Sequence, residues 1–173
     1  MRPPVDETRL REFARELGRL TKAETHVYLT GGASAVLEGW RESTADVDVR
    51  FEPERDALLR ALPELKNRLQ INIELASPPD FVPELPGWRE RSPVVIKEGR
   101  VSIHHFDFYS QAFAKVERGF DQDLDDVRSM IDAGFVEPDR LGRLFEQIEP
   151  QLYRYPAIDA GSFRADVQRV LDP

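Results

Sequence analysis

Val27-Tyr28-Leu29-Thr30-Gly31-Gly32-Ala33-Ser34, followed by Ala45-Asp46-Val47-Asp48-Val49, is the stretch that decides how this chain folds. An apolar run ends in a glycine pair, a short helix-like segment follows, and a second apolar run carries two aspartates one residue apart. Side chains alternate faces along a strand, so Asp46 and Asp48 point the same way and sit close enough to share a cation. Two carboxylates side by side are costly unless something positive lies between them. The glycine pair supplies a loop where backbone N–H groups approach an anion closely, and Ser34 adds a hydroxyl that either caps the next helix or grips the same anion. A phosphate cradle facing a metal-binding carboxylate pair is the minimum needed to handle a nucleotide triphosphate.

The order apolar run, Gly31-Gly32, residues 33–45, then Asp46-Val47-Asp48 resembles the signature of the polymerase-β-like, or minimal, nucleotidyltransferase superfamily. That likeness covers roughly residues 26–76. Farther on, Phe113-Ala114-Lys115 through Arg118 to Asp123-Leu124-Asp125-Asp126 is similar to the second half of the AbiEii-type branch, bacterial enzymes of toxin–antitoxin and abortive-infection systems. The resemblance implies transfer of a nucleoside monophosphate from an NTP to an acceptor hydroxyl, with Mg²⁺ (or Mn²⁺) held by Asp46 and Asp48. It implies a tRNA end or a protein side chain as acceptor, and a cognate antitoxin as partner. Glu74 is implied as the base that deprotonates the acceptor, set against a plain surface glutamate. Arg41 is implied to lean on the phosphates or carboxylates, with Ser43 or Thr44 lining the pocket. Lys115 and Asp123 complete the implied site, with Asp126 replacing Asp123 if the register is shifted. The competing function is an inactive nucleotide- or metal-binding module that acts through a protein partner.

Composition narrows the classes. The chain has 173 residues, 40% of them hydrophobic and 32% charged, enough for a core under a well-solvated surface. It has no cysteine, which removes disulfides, thiolate metal sites and cysteine nucleophiles together. The opening Met1-Arg2-Pro3-Pro4-Val5-Asp6 lacks the apolar segment of a signal peptide, and no apolar stretch is long enough to span a bilayer. A cytoplasmic setting without membrane contact is expected. The formal net charge of −8 argues against nonspecific nucleic-acid binding but leaves room for a local basic patch, for which Arg89, Arg91, Lys97 and Arg100 are candidates.

Periodicity predicts a helix over 7–20, a buried strand over 26–30, a helix from Ser34 to Trp40, and a strand over 46–51. Pro53 is placed to open a helix through Leu62, with Pro63 kinking or restarting it. Ile71–Leu75 alternates as a third strand, 80–92 reads as a loop, and Val94–Glu98 and Val101–Phe106 flank Gly99 as a hairpin. Helices follow over 108–118, 121–133, 139–152 and 160–171. The expected class is therefore α+β: a small mixed β-sheet with flanking helices (1–107), which the resemblance implies is a nucleotidyltransferase core, and an all-helical C-terminal region (108–173) packed on it. Asp121 suits an N-cap, and Asp125 or Asp126 is placed to pair with Arg118 or Arg128. His104 and His105 are strand neighbours facing opposite ways, so one metal cannot take both, and a zinc site is not expected.

Overall fold

From Asp46 to Glu52 every second side chain is buried: Val47, Val49 and Phe51 turn one way, while Asp46, Asp48, Arg50 and Glu52 turn the other. That period of two is the mark of a strand with one face on a core. The computed structural model describes residues 1–172 and divides the chain into two units, Met1–Ser77 with Ser92–Phe106, and Pro78–Arg91 with the residues from Asp107 on.

The first unit is a five-stranded mixed sheet. Its strands are β1 (Thr25–Thr30), β2 (Asp46–Glu52), β3 (Asn72–Leu75), β4 (Val94–Glu98) and β5 (Val101–His105), in spatial order β3-β2-β1-β5-β4. β1 runs antiparallel to β2 and parallel to β5, and β3 runs parallel to β2. Three helices belong to this unit: α1 (Glu7–Leu20), α2 (Gly32–Leu37) and α3 (Asp56–Leu69). Leu10, Phe13, Ala14 and Leu17 of α1 and Leu58, Leu62 and Leu65 of α3 share one apolar cluster with Val27, Leu29, Val47, Val49, Phe51, Ile73, Val101 and Ile103. All the sheet residues in that cluster lie on one face. The opposite face is polar, and it holds Asp46, Asp48, Arg50 and Glu52 on β2, Asn72 and Glu74 on β3, and His26, Tyr28 and Thr30 on β1.

The N-terminus fastens the end of the sheet where the two aspartates lie. Val5 pairs with Thr44 through two backbone hydrogen bonds, of 2.8 and 2.9 Å. Arg2 donates to the carbonyl of Ile71 at 2.8 Å and to the side-chain oxygen of Asn72 at 3.2 Å. Asp6 caps α1 by accepting from the Arg9 N–H, and Arg9 in turn donates to the last carbonyls after α3.

The second unit contains α4 (Phe108–Arg118), α5 (Asp121–Asp132), α6 (Pro138–Ile148) and α7 (Ala160–Leu171). Phe163 meets Phe113 and Phe145 edge-on, the arrangement that ring quadrupoles favour, and Phe113 and Phe145 are tilted against each other. Asp107 caps α4, accepting from the Tyr109 and Ser110 N–H groups, and receives a two-pronged contact from Arg91 at 3.0 and 2.8 Å. The segment 78–91 therefore keeps company with the helices although its sequence reads only as a proline-rich loop. Its Trp88 is buried and donates its ring N–H to Glu84.

Three helix boundaries differ clearly from the periodic reading. α2 spans Gly32–Leu37 rather than Ser34–Trp40, since it starts directly at the glycine turn and Gly39 ends it with a positive φ. α3 opens at Asp56 rather than Pro53 and runs through Pro63 to Leu69, because Leu58, Leu62 and Leu65 bury on both sides of the proline while Pro63 faces solvent. α6 stops at Ile148, and Pro150 carries the chain into a tighter 3₁₀ turn over Glu149–Arg154. No helix among the described residues is long and apolar enough to cross a membrane.

Candidate active site

The glycine turn comes first. Gly31 has φ 63° and ψ −131°, a backbone that favours glycine, and it starts α2 directly after β1. A Cβ at Gly31 would lie 3.3 Å from a carboxylate oxygen of Asp48, so the turn and the two-acid strand abut. Gly32 is needed for room rather than for φ. A Cβ there would meet the Thr44 hydroxyl at 2.1 Å and the Thr44 Cβ at 2.7 Å, with the Arg41 guanidinium 3.2 Å away. Thr44 is itself held, its hydroxyl donating to the Asp46 carbonyl at 3.1 Å and its backbone tied to Val5. Arg41 and Thr44 thus border the turn, and Ser43 lies half-buried between them in sequence. Gly32→Ala is expected to destabilise the protein by about 1–3 kcal/mol, the usual cost of overpacking a filled site. A thermal melt against wild type measures it, and an unchanged melting temperature would mean that Thr44 yields freely.

The acids line up across two strands. Asp48 on β2 stands in register with Thr30 on β1 and with Glu74 on β3, while Asp46 stands opposite Asn72. Register neighbours on one face lie about 5 Å apart at Cβ, and Asp46 and Asp48 are separated by about 6.6 Å along the strand. Asp46 and Asp48 are half-buried and Glu74 is exposed. Among the described residues no three His, Asp or Glu side chains gather as a closed metal cage. Mg²⁺ is normally held by one or two carboxylates together with substrate phosphates, not by an all-protein cage, and the hard oxygen donors of Asp46 and Asp48 suit that arrangement.

Ser34 turns inward. It is fully buried, its hydroxyl 3.1 Å from the Leu29 carbonyl and 2.9 Å from Nδ1 of His105, so its contacts brace the turn from below. The Nε2 of His105 lies 2.7 Å from the Glu38 carboxylate. Burial pushes the His105 imidazole below its ordinary pKa and Glu38 pulls it partly back. His104 faces the other side of the sheet, as strand alternation requires. Its Nδ1 meets the Ser92 carbonyl at 2.8 Å and its Nε2 meets Nδ1 of His26 at 2.9 Å. Since a carbonyl only accepts, neutral His104 carries its proton on Nδ1 and takes a hydrogen bond from His26.

In the helical unit, Lys115 is buried, with its ammonium 2.6 Å from Asp126 and 3.8 Å from Asp123. Arg118 forks onto Asp123, one contact measuring 2.8 Å. Burial raises the Asp123 pKa, but Arg118 and Lys115 outweigh it and hold the carboxyl below its ordinary range. Asp125 pairs with Arg128 in solvent, and Asp121 is the first helical residue of α5 instead of its cap, which is Phe120. The basic candidates have local engagements: Arg91 grips Asp107, Arg89 lies over the Trp88 ring, Lys97 donates to Ser102, and Arg100 faces Glu24.

Sequence reading missed Thr44 as the residue that forbids a side chain at Gly32. It also missed His105 with Glu38 as the brace behind Ser34, and the Arg2–Val5 strap. The adjacent histidines were the one available signal: alternation puts them on opposite faces, but it does not say which of the two meets α2.

No curated protein and no solved structure matches the chain. Residues 8–161 match the family described as nucleotidyltransferase of unknown function (DUF6036), and the chain belongs to that family.

Proposed function

We propose that this nucleotidyltransferase moves a nucleoside monophosphate from an NTP to an acceptor hydroxyl at the meeting point of the glycine turn and β2. The observation that carries the reading is the contact geometry of Gly31, whose Cα faces the Asp48 carboxylate so closely that a Cβ would stand 3.3 Å from it. Phosphates cradled by the N–H groups of Gly31 and Gly32 lie beside the carboxylates, with Arg41 at the rim. Asp46 and Asp48 are the residues to hold Mg²⁺ or Mn²⁺. An ion held there would supply positive charge against the triphosphate and the departing pyrophosphate. Glu74, in register with Asp48 and open to solvent, accepts the proton of the attacking hydroxyl. The new P–O bond forms at the α-phosphorus as the bond to pyrophosphate breaks.

The finer readings rest on the resemblance of residues 113–126 to the AbiEii-type branch. They are a toxin-like role, a tRNA end or protein side chain as acceptor, a neutralising antitoxin, and a part for Lys115 and Asp123 at the phosphates. Incubating the protein with each α-³²P-labelled NTP, total RNA and total protein, with Mg²⁺ or with chelator, tests the transfer and its acceptor. Label that appears only with the metal establishes transfer, and its RNA or protein fraction names the acceptor class. Metal-dependent nucleotide binding without label would instead favour the inactive binding module.

Glu74→Gln is expected to slow transfer by roughly 10²–10⁴-fold, the usual range for a general base, with nucleotide affinity unchanged. A transfer rate equal to wild type would make Glu74 a surface residue and leave deprotonation to solvent.

A further inference from the structure

His105 reaches α2 at two points one turn apart. Its Nδ1 meets Ser34 in the first turn at 2.9 Å, and its Nε2 meets Glu38, the residue that caps the end of the helix, at 2.7 Å. Positions i and i+4 share a helix face, so one imidazole ring spans the length of that face. A six-residue helix has almost no stability of its own, because nucleation consumes most of what so few hydrogen bonds return. Something outside the helix must fix its direction. His105 is 1% exposed at the end of β5, and β5 pairs directly with β1, the strand that leads into the glycine turn.

The protons can be placed. The Leu29 carbonyl already accepts the Phe106 N–H at 2.8 Å. A carboxylate only accepts, so Nε2 of neutral His105 carries the proton toward Glu38, and Nδ1 accepts from the Ser34 hydroxyl. Each member of the trio then has a partner: Ser34 donates to His105, and His105 donates to Glu38.

A serine, a histidine and a glutamate in line have the composition of a nucleophilic relay. Ser34 is 0% exposed, so no substrate carbon reaches its oxygen, and the trio holds backbone instead of attacking substrate.

We infer that His105 is a positioning residue: by clamping Ser34 and Glu38 it fixes α2, and through α2 the direction of the Gly31–Gly32 N–H groups. The consequence for nucleotide binding rests on the proposed function, while the clamp itself does not. Amide hydrogen exchange of the nucleotide-free protein therefore tests the clamp alone. His105→Ala is expected to speed exchange of the amides at 33–38 roughly tenfold, the scale of one lost buried hydrogen-bond partner, with the amides of α1 and β1 unchanged. His105→Asn keeps a polar atom where Nδ1 stood and is expected to recover most of the protection. Ser34→Ala, a smaller change to the packing, should reproduce the His105→Ala pattern if that variant fails to fold.

Equal exchange in wild type and all variants would overturn the clamp, as would acceleration spread evenly over the whole chain. NTP affinity read on the same variants separates the two ideas. Local loosening with weaker NTP binding supports both. Local loosening in a protein whose wild type binds no NTP leaves the clamp standing and sinks the proposed function.

Discussion

Replacing Asp46 and Asp48 together by asparagine is expected to abolish divalent-ion-dependent nucleotide binding and to lower transfer by at least a hundredfold, the scale seen when one electrostatic stabiliser leaves an active site. The fold is expected to survive. Both side chains lie on the polar face of β2, half-buried, and their apolar alternates Val47 and Val49 keep the core contacts that define the strand. Asparagine is nearly isosteric, and removing two like charges relieves repulsion worth some tenths of a kcal/mol, so the melting temperature holds or rises. Calorimetric titration with Mn²⁺ and nucleotide, beside a thermal melt, reads both halves of the expectation. Unchanged metal affinity would sink the site, and so would an unfolded variant, since a collapse would mean that the acids serve the fold.

Much of this arrangement was legible in the chain because it rests on local periods. The alternation of β2, the glycine pair and the amphipathic α1 each announce themselves within a dozen residues. The register that sets Glu74 beside Asp48 joins two strands on either side of α3, and no local pattern encodes such a pairing. The same is true of Thr44. Its effect on Gly32 arises because the loop before β2 folds back under the tie to Val5, a contact between distant residues. Segment 78–91 shows the converse difficulty. Its prolines signal a loop correctly, but the reason it belongs with the helices is the Arg91 grip on Asp107, which no composition reveals. The acids of α5 were open between several partners, and helical spacing alone could not choose. The packing of α4 on α5 assigned Asp123 to Arg118 and Asp126 to Lys115 and left Asp125 to Arg128.

Lys115→Met is expected to destabilise the protein by about 3–5 kcal/mol, the cost of stripping a buried carboxylate of its cation. For a chain of this size that corresponds to a fall in melting temperature of roughly 10 °C. The argument turns on Asp126, which is 3% exposed and has the Lys115 ammonium at 2.6 Å. Methionine fills the space of the stem but takes the positive charge away from a buried carboxylate. Adding Asp126→Asn to Lys115→Met removes the stranded charge and should recover most of the loss, because a buried ion pair is worth little more than a well-packed neutral pair. Asp123 gives the deficit its pH dependence. Its carboxyl lies below the ordinary value of 3.8, held there by Arg118 and Lys115 against burial, so its contribution is present above that value and disappears as pH falls through the lowered one. Without Lys115 the lowering is smaller, and the gap between variant and wild type narrows in acid. Melts of the single and double variants at neutral and acid pH check this, and a single variant as stable as wild type would remove Lys115 from the scaffold. The double variant also separates structure from chemistry: if it folds and still transfers no nucleotide, the Lys115–Asp126 pair does more than hold α4 to α5.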